Sequence, residues 1–265
     1  MIQRFAPVVL GYHAVSASWG HVLSVPPALL ARQLRALLAS GLRPATLAQT
    51  VEGRGRLLHV TFDDAFVSVL NALHTLERLG VPSTVFACSG LAGPPAKILE
   101  VPELVDEATM HPEELRTLGW EQLSHLASRG VEIGSHTVSH PHLRTLSDTE
   151  LALELRDSRT RIEDMLSRPC RFLAYPYGEY DARVADAARA AGYEAAFTLP
   201  GRISSVGPFS LPRMGMFPRD TAARTFIRSL PFVRRVRARD LELIPQEREQ
   251  CDDAEHARHL VPLPR

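Results

Sequence analysis

Lysine is almost missing from this 265-residue chain: Lys97 stands alone among thirty basic residues. Arginine supplies the rest, as a GC-rich coding sequence would, and no function is read from it. Cysteine is scarce too. Cys88, Cys170 and Cys251 are too few and too scattered for a disulfide framework or a Cys-x-x-Cys metal site, so free thiols are expected. An excess of one charge is also absent, since thirty acidic residues balance the basic ones. No overall field attracts a polyanion, and no nucleic-acid partner is expected. Long apolar runs are missing: residues 8–10 are too few to cross a membrane. Residues 1–5 lack an apolar core with a cleavage site, so the expected location is cytoplasmic, at most peripheral at the inner membrane face.

What is present is a recurring unit in which an amphipathic helix ends at glycine and an extended apolar run follows. Helices are predicted over 34–40, 70–79, 121–129 and 184–191, each followed by a glycine (Gly41, Gly80, Gly130, Gly192) able to supply the left-handed cap residue. Strands are predicted over 8–12, 57–62, 83–87, 131–134, 172–175 and 194–198. Strands alternating with helices of about ten residues argue for βα units around a parallel sheet, either a barrel or an open doubly wound sheet. Ser147-Asp148-Thr149-Glu150 is a capping box that starts a further helix, with Leu151, Leu155, Ile162 and Leu166 on one stripe. Residues 93–117 hold four prolines amid charges and read as an insertion or long loop near the rim. Such a length buries about three quarters of the unfolded surface, enough for one large core. The division expected is a barrel over 1–219 and a basic amphipathic segment with a polar tail over 220–265. In that segment Arg224, Arg228, Arg234, Arg235, Arg237 and Arg239 interleave with Phe226, Ile227, Leu230, Phe232, Val233 and Val236. It reads first as a solvated helix face whose apolar side packs on the barrel, and alternatively as a peripheral contact with an anionic membrane.

Four short segments lie at or just past the ends of apolar runs: Gly11-Tyr12-His13, Thr61-Phe62-Asp63-Asp64, His136-Thr137-Val138-Ser139-His140 and Tyr175-Pro176-Tyr177-Gly178. In a barrel of parallel strands chemistry gathers where the strands end. His136 and His140, four apart, share a face if the segment makes a helical turn, and neutral imidazoles suit zinc and its neighbours. Among eleven histidines the pair alone also fits an exposed polar loop. Asp63 and Asp64 end a buried strand, where carboxylates need a cation, hydrogen bonds or solvent. Asp64 could instead cap a helix starting near Ala65. One histidine pair with one aspartate and open positions is the ligand set of a catalytic zinc site, with the second aspartate beside the water.

Thr61-Phe62-Asp63-Asp64, His136-x-x-x-His140 and Tyr175-Pro176-Tyr177-Gly178 resemble the first three motifs of the NodB-homology polysaccharide deacetylases, carbohydrate esterase family four. Ser83-Thr84-Val85-Phe86, Trp120-Glu121-Gln122-Leu123 and Glu132-Ile133-Gly134-Ser135 fit in order and context, and the likeness covers about 8–216. The resemblance implies an α/β fold, a distorted (β/α) barrel with fewer than eight complete units. It also implies metal-dependent removal of acetyl from an N-acetylhexosamine in a polysaccharide or lipid-linked glycan precursor. Carried over by position, Asp64, His136 and His140 would hold zinc or another divalent first-row metal, Asp63 would be the general base, and the Tyr177 N–H would face the oxyanion. Three departures stand out. Ala65 replaces the usual glycine. Ala174 stands where many members place a base-orienting arginine; Arg171 is at the wrong distance to replace it, and Arg213 in Leu211-Pro212-Arg213 is the candidate substitute. No Leu-x-His follows near the C-terminus, where His256 and His259 lie in the polar tail. Members acting on exported poly-N-acetylglucosamine use a first-strand histidine as acid, and His13 resembles it. His142, behind Pro141, reads as a flanking surface residue. The alternatives are an amidase on a small non-sugar amide, which a chain with only Trp19 and Trp120 for sugar stacking would suit, and a catalytically inactive glycan-binding barrel.

Overall fold

The computed structural model describes residues 7–53, 55–93, 97–199, 207–230 and 233. Its strands are β1 (Val8–Tyr12), β2 (Arg43–Pro44), β3 (Leu57–Phe62), β4 (Ser83–Ala87), β5 (Glu132–Ser135), β6 (Phe172–Ala174), β7 (Ala195–Thr198), β8 (Leu211–Pro212) and β9 (Met214–Gly215). Every pairing among them is parallel, in the order β8-β7-β6-β5-β4-β3-β1-β9, with β2 beside β3. Because β8 joins β7 and β9 joins β1, residues 211–215 cross from one edge of the sheet to the other and close it into a distorted barrel. All strand C-termini therefore meet at one rim.

Both faces of the strands are buried, which explains why they read as continuous apolar runs. Inside the barrel Phe172 packs edge to face on Phe197 and Phe86 meets Phe197 at a tilt, with Val9, Ala174 and Ala195 around them. Outside lie α1 (Pro27–Ala39), α2 (Leu47–Val51), α3 (Leu70–Leu79), α4 (Val105–Met110), α5 (Trp120–Ser128), α6 (Asp148–Leu166), α7 (Ala182–Ala190) and α8 (Ala222–Ser229). The short α2 presses Leu47 onto the inner aromatic cluster instead. The Ser147 capping box starts α6, and Gly80 at φ 61° ends α3. Helix α1 begins at Pro27, well before residue 34, because proline at the first helical position starts a helix instead of breaking one.

Two expectations change. The 93–117 stretch contains a 3₁₀ turn (Pro102–Leu104) and α4, and its Leu99, Val101, Leu104 and Leu115 pack with Trp19 and Phe66 in a small core of their own. Helix α8 does not turn its apolar side to the barrel. It buries Thr225 and Ser229 against the body and leaves Phe226, Ile227 and Leu230 exposed. The rest of the polar tail, with Cys251, His256 and His259, lies outside the described residues.

Gly134 on β5 shows how tightly the interior is filled. A Cβ there would lie 2.6 Å from ring carbons of Phe86 and 3.0 Å from the Phe172 carbonyl oxygen. Gly134→Ala is expected to cost about 1–3 kcal/mol through overpacking. At roughly 2–4 °C per kcal/mol for a chain of this size, a melting curve should show a fall of several degrees.

Candidate active site

The rim brings all seven candidate residues to one place. Asp63 follows β3 and is buried, its backbone N–H held by the Tyr12 carbonyl. Arg213, from the segment that closes the barrel, grips it with both arms: Nη1 donates to Oδ1 at 2.6 Å and Nη2 to Oδ2 at 2.8 Å. Nη1 also donates to Thr61 Oγ1 at 2.9 Å, and the guanidinium lies over the Phe86 ring. Burial alone would raise the Asp63 pKa. The Arg213 charge and hydrogen bonds, with His136, outweigh it and hold the carboxyl below the usual carboxylate range. Ala174 and Arg171 take no part in this: Ala174 is a small residue of the inner wall, and Arg171 pairs with Glu194 at the surface.

Asp64, His136 and His140 converge beside it. Their ligand atoms lie within 4.8 Å of one another, and Asp64 Oδ1 is 3.4 Å from His136 Nε2 and 3.3 Å from His140 Nε2. His136 Nδ1 lies 2.7 Å from the Ala174 carbonyl oxygen. A carbonyl can only accept, so Nδ1 carries the proton and the Nε2 lone pair faces Asp64. Asp64 Oδ1 is buried without a hydrogen-bond partner. Burial and the neighbouring Asp63 charge raise the Asp64 pKa, while burial lowers those of both histidines. An orphaned carboxylate oxygen facing lone pairs is a set that fits a divalent cation.

Neither aspartate caps a helix, and the histidines do not sit on a helical turn. Asp64 (φ 64°), Ala65 (φ 53°), Thr137 (φ 70°), His140 (φ 64°) and Tyr177 (φ 58°) are five of the six non-glycine residues with left-handed backbone among the described residues. Such conformations cost about 1–3 kcal/mol each and collect at functional sites. The 136–140 bend is held from α6: Glu154 Oε2 accepts from the N–H groups of Val138 (2.8 Å) and Ser139 (3.0 Å), and Ser158 Oγ donates to the Thr137 carbonyl. Thr137 Oγ1 in turn accepts from the His140 N–H. Glu154 and Ser158 were not legible as site residues, since each sits inside an ordinary amphipathic helix.

His13 ends β1 with its Nδ1 sealed from solvent and unpartnered. Burial lowers its pKa to about 4, against the pull of Asp63. Tyr177 places its ring 4.6 Å from that of His140, centroid to centroid. His142 is more than a flanking residue. It stacks on Tyr177 at 3.9 Å, and its nitrogens meet Glu179 (3.0 Å) and Glu103 (3.2 Å), while the Tyr177 hydroxyl donates to Glu103. The 97–117 segment thus forms one wall of the rim. Trp19 and Trp120 are buried and leave no indole on it.

Residues 50–196 match the family model described as polysaccharide deacetylase. The chain belongs to the polysaccharide deacetylase family. This deacetylase is accordingly a hydrolase of amide carbon–nitrogen bonds in acetylated sugars. It is 25% identical over 220 residues to YxkH of Bacillus subtilis strain 168, whose name places it among polysaccharide deacetylases; the match spans 79% of this chain and 71% of YxkH. In fold it is similar to IcaB from Ammonifex degensii (TM-score 0.70, 23% identity, 86% of this chain and 98% of that one). It is also similar in fold to the Streptococcus pyogenes deacetylase PplD in complex with acetate (TM-score 0.68, 20% identity, 84% and 97%). His13 and Arg213, the residues at two of the departures, both lie outside the matched 50–196.

Two outcomes follow. Arg213→Met leaves Asp63 buried without its partner, which should cost about 3–5 kcal/mol. The lowered Asp63 pKa contributes stability that is fully present above the ordinary carboxylate range and lost as pH falls through the lowered value. The stability deficit of Arg213→Met against the parent should therefore be largest at neutral pH and narrow as pH falls, because the parent loses this contribution in acid and the variant does not have it; denaturant melts followed by circular dichroism across a pH series would show it. Glu154→Ala frees the 136–140 bend. Divalent-metal affinity measured by competition with a chelating dye should fall roughly 10–100-fold, the usual effect of losing such outer support.

Proposed function

We propose that the chain removes the acetyl group from an N-acetylhexosamine unit of a polysaccharide or lipid-linked glycan precursor, releasing acetate and leaving a free amine, with zinc as its metal. The observation that carries this reading is the bidentate Arg213–Asp63 pair set against the Asp64, His136 and His140 cluster. One carboxylate is fixed as an ionised proton acceptor while its neighbour is left for a cation.

Asp64, His136 and His140 would hold the metal, which supplies acidification of water and polarisation of the acyl oxygen. Asp63 takes the proton of the attacking water. Arg213 keeps both of its oxygens in register and keeps it ionised, and a carboxylate so stabilised is a weak base that passes a proton on rather than retaining it. The Tyr177 N–H, on its left-handed turn, is the donor for the oxygen that gains charge during addition. His13 is neutral at rest, as a pKa of about 4 requires. As negative charge develops beside it, His13 takes up the proton that Asp63 received from the water and delivers it to the departing nitrogen as the carbon–nitrogen bond breaks, so one water supplies both the hydroxyl of acetic acid and the proton of the amine. The intact base and ligand set, together with the family match, favours catalysis over a binding-only barrel. A cytoplasmic site of action at the inner membrane face, where a lipid-linked precursor is available, belongs to the same reading.

Acetate release from chito-oligosaccharides and from small non-sugar amides, measured side by side with bound zinc, tests this. Asp63→Asn should retain zinc and lose about 10²–10⁴-fold in turnover, the usual contribution of a general base. His136→Ala should lose zinc. Full activity of Asp63→Asn on every acetylated sugar the parent hydrolyses would overturn the base assignment, and release from the small amides alone would overturn the glycan.

A further inference from the structure

Gln33 lies on the inner side of α1, with Leu29, Leu30, Leu34 and Leu37 of the same helix, and is fully buried. An amide in that place is costly unless its groups are met. Its Oε1 accepts from the Tyr12 hydroxyl at 2.8 Å, and its Nε2 donates to the Asp220 carbonyl at 2.6 Å. Tyr12 is the last residue of β1: its own carbonyl accepts from the Asp63 N–H at 2.9 Å, and His13 follows it. Asp220, just ahead of α8, is buried too. Its carboxylate accepts from the Phe217 N–H at 3.1 Å and from Arg228 Nη1 at 2.5 Å, and it meets Arg224 Nε at 3.1 Å. Arg228 Nη2 then donates to the Gly215 carbonyl at 2.8 Å, and the Met216 N–H donates to the Gly11 carbonyl at 2.8 Å. Gly215 is two residues past Arg213 on the segment that closes the barrel. One continuous run of polar contacts thus joins α1 and α8 to the strand ends that carry His13, Asp63 and Arg213.

We propose that Gln33, Asp220 and Arg228 are positioning residues, a brace that holds the ends of β1 and β9 so that His13, Asp63 and Arg213 stand in register. Their role rests on the acid and base assignments proposed above for His13 and Asp63. Stability alone does not account for the contacts. A leucine at 33 would suit the inner side of α1 without desolvating an amide, and apolar replacement of buried polar groups is often neutral or stabilising. What hydrogen bonds add is direction, since each fixes a distance and an angle where apolar contacts can slide. The metal ligands hang from other supports. Glu154 and Ser158 of α6 hold the 136–140 bend, and the Ala65 carbonyl, accepting from the Leu118 N–H, holds the turn after Asp64. The brace therefore bears on the half of the site that handles protons and not on the half that binds a cation. All three residues lie outside the matched 50–196, as do His13 and Arg213. The brace thus belongs to the same part of the chain as the acid and the arginine that depart from the common family pattern.

Hydrogen exchange and kinetics on the full chain loaded with zinc test the brace in three variants: Gln33→Leu, Arg228→Met and Tyr12→Phe. The last removes one hydroxyl and keeps the buried ring, so it decides the matter if either of the others fails to fold. In each, the Asp63 and Met216 amides should exchange roughly tenfold faster than in the parent, the effect of an unmet buried hydrogen bond on local opening, while Val138 and Ser139 keep their protection. In acetate release, kcat should fall about 10–100-fold, as a small misplacement of reacting groups produces, with KM and zinc affinity at parent values. Arg228→Lys, which keeps a cationic donor, should recover most of the loss seen in Arg228→Met. Exchange that quickens evenly at Asp63, Met216, Val138 and Ser139 would mark general destabilisation and overturn the proposal. So would a parent kcat in Tyr12→Phe, or a fall in kcat that tracks lost zinc. A parent that releases acetate from no acetylated sugar would overturn the functional reading instead, and the exchange pattern would still decide whether the brace holds these strand ends.

Discussion

The contact between Arg213 and Asp63 is where the fold and the chemistry become one problem. Arg213 sits at the middle of the five residues that close the barrel, and Asp63 at the end of β3, two strands away in the sheet order. Taking both charges out of water is costly, and only near-ideal geometry recovers that cost. Here both guanidinium arms reach both carboxylate oxygens, a third acceptor is Thr61 Oγ1, and Phe86 underlies the cation. The edges of the sheet must meet for the pair to form, so barrel closure and ionisation of Asp63 depend on each other. Small residues make room for it. Ala174 leaves the inner wall free of a competing side chain, and at Gly11 on β1 a Cβ would press Leu199 Cδ2 at 3.3 Å.

The second constraint is backbone strain. Asp64, Thr137, His140 and Tyr177 are left-handed without being glycine, and a conformation of that kind persists only where the surroundings over-determine it. The surroundings differ at each turn. Glu154 and Ser158 of α6 hold the 136–140 bend through backbone groups. The His142 ring lies flat against Tyr177, whose hydroxyl is tied to Glu103. The Ala65 carbonyl accepts from the Leu118 N–H, fixing the turn after Asp64 to the residues just ahead of α5. Rotation of any one turn would move a ligand or the Tyr177 N–H, so the outer shell of the site is a device for keeping unfavourable torsions in place.

Much of this was legible because strands buried on both faces leave long apolar runs, and four of those runs end in unusual polar residues. Strand positions came within a residue or so for β1, β3 and β4, and for the strands that precede His136 and Tyr177. The two-residue strands β2, β8 and β9 carry no period that a sequence could show, so the closure was invisible. Arg213 could be suspected only through the arginine missing at Ala174, and its partner was then fixed by geometry. Glu154 and Ser158 carry helix-surface patterns, and their inward reach depends on where α6 crosses the 136–140 bend. His142 follows Pro141 and has the sequence context of a surface residue, yet ring stacking and two carboxylates define its place. Helix α8 turns its small residues inward, opposite to what its apolar pattern suggests. Periodicity gives a helix two faces, but the buried Asp220, which draws arginines inward, decided which face the body would take.

That last reversal has a counterpart at the rim, where carboxylates again organise what apolar packing alone would leave loose. The 97–117 segment reaches the rim loops through three glutamates: Glu103 to Tyr177 and His142, Glu107 to Trp19 Nε1, and Glu114 to the hydroxyls of Ser16 and Ser18. Its apolar anchor is small, a handful of residues around Phe66 and Leu104. A segment held by a minor core and by polar contacts at its edge opens at lower free energy than the barrel beneath it. Loops of this kind are also where one scaffold distinguishes among substrates. Asp63, Asp64, His136 and His140 are fixed by the barrel and its rim turns, whereas this wall is the part of the rim held least firmly. Glu103, with one oxygen toward Tyr177 and the other toward His142, is the point at which the wall touches the chemistry.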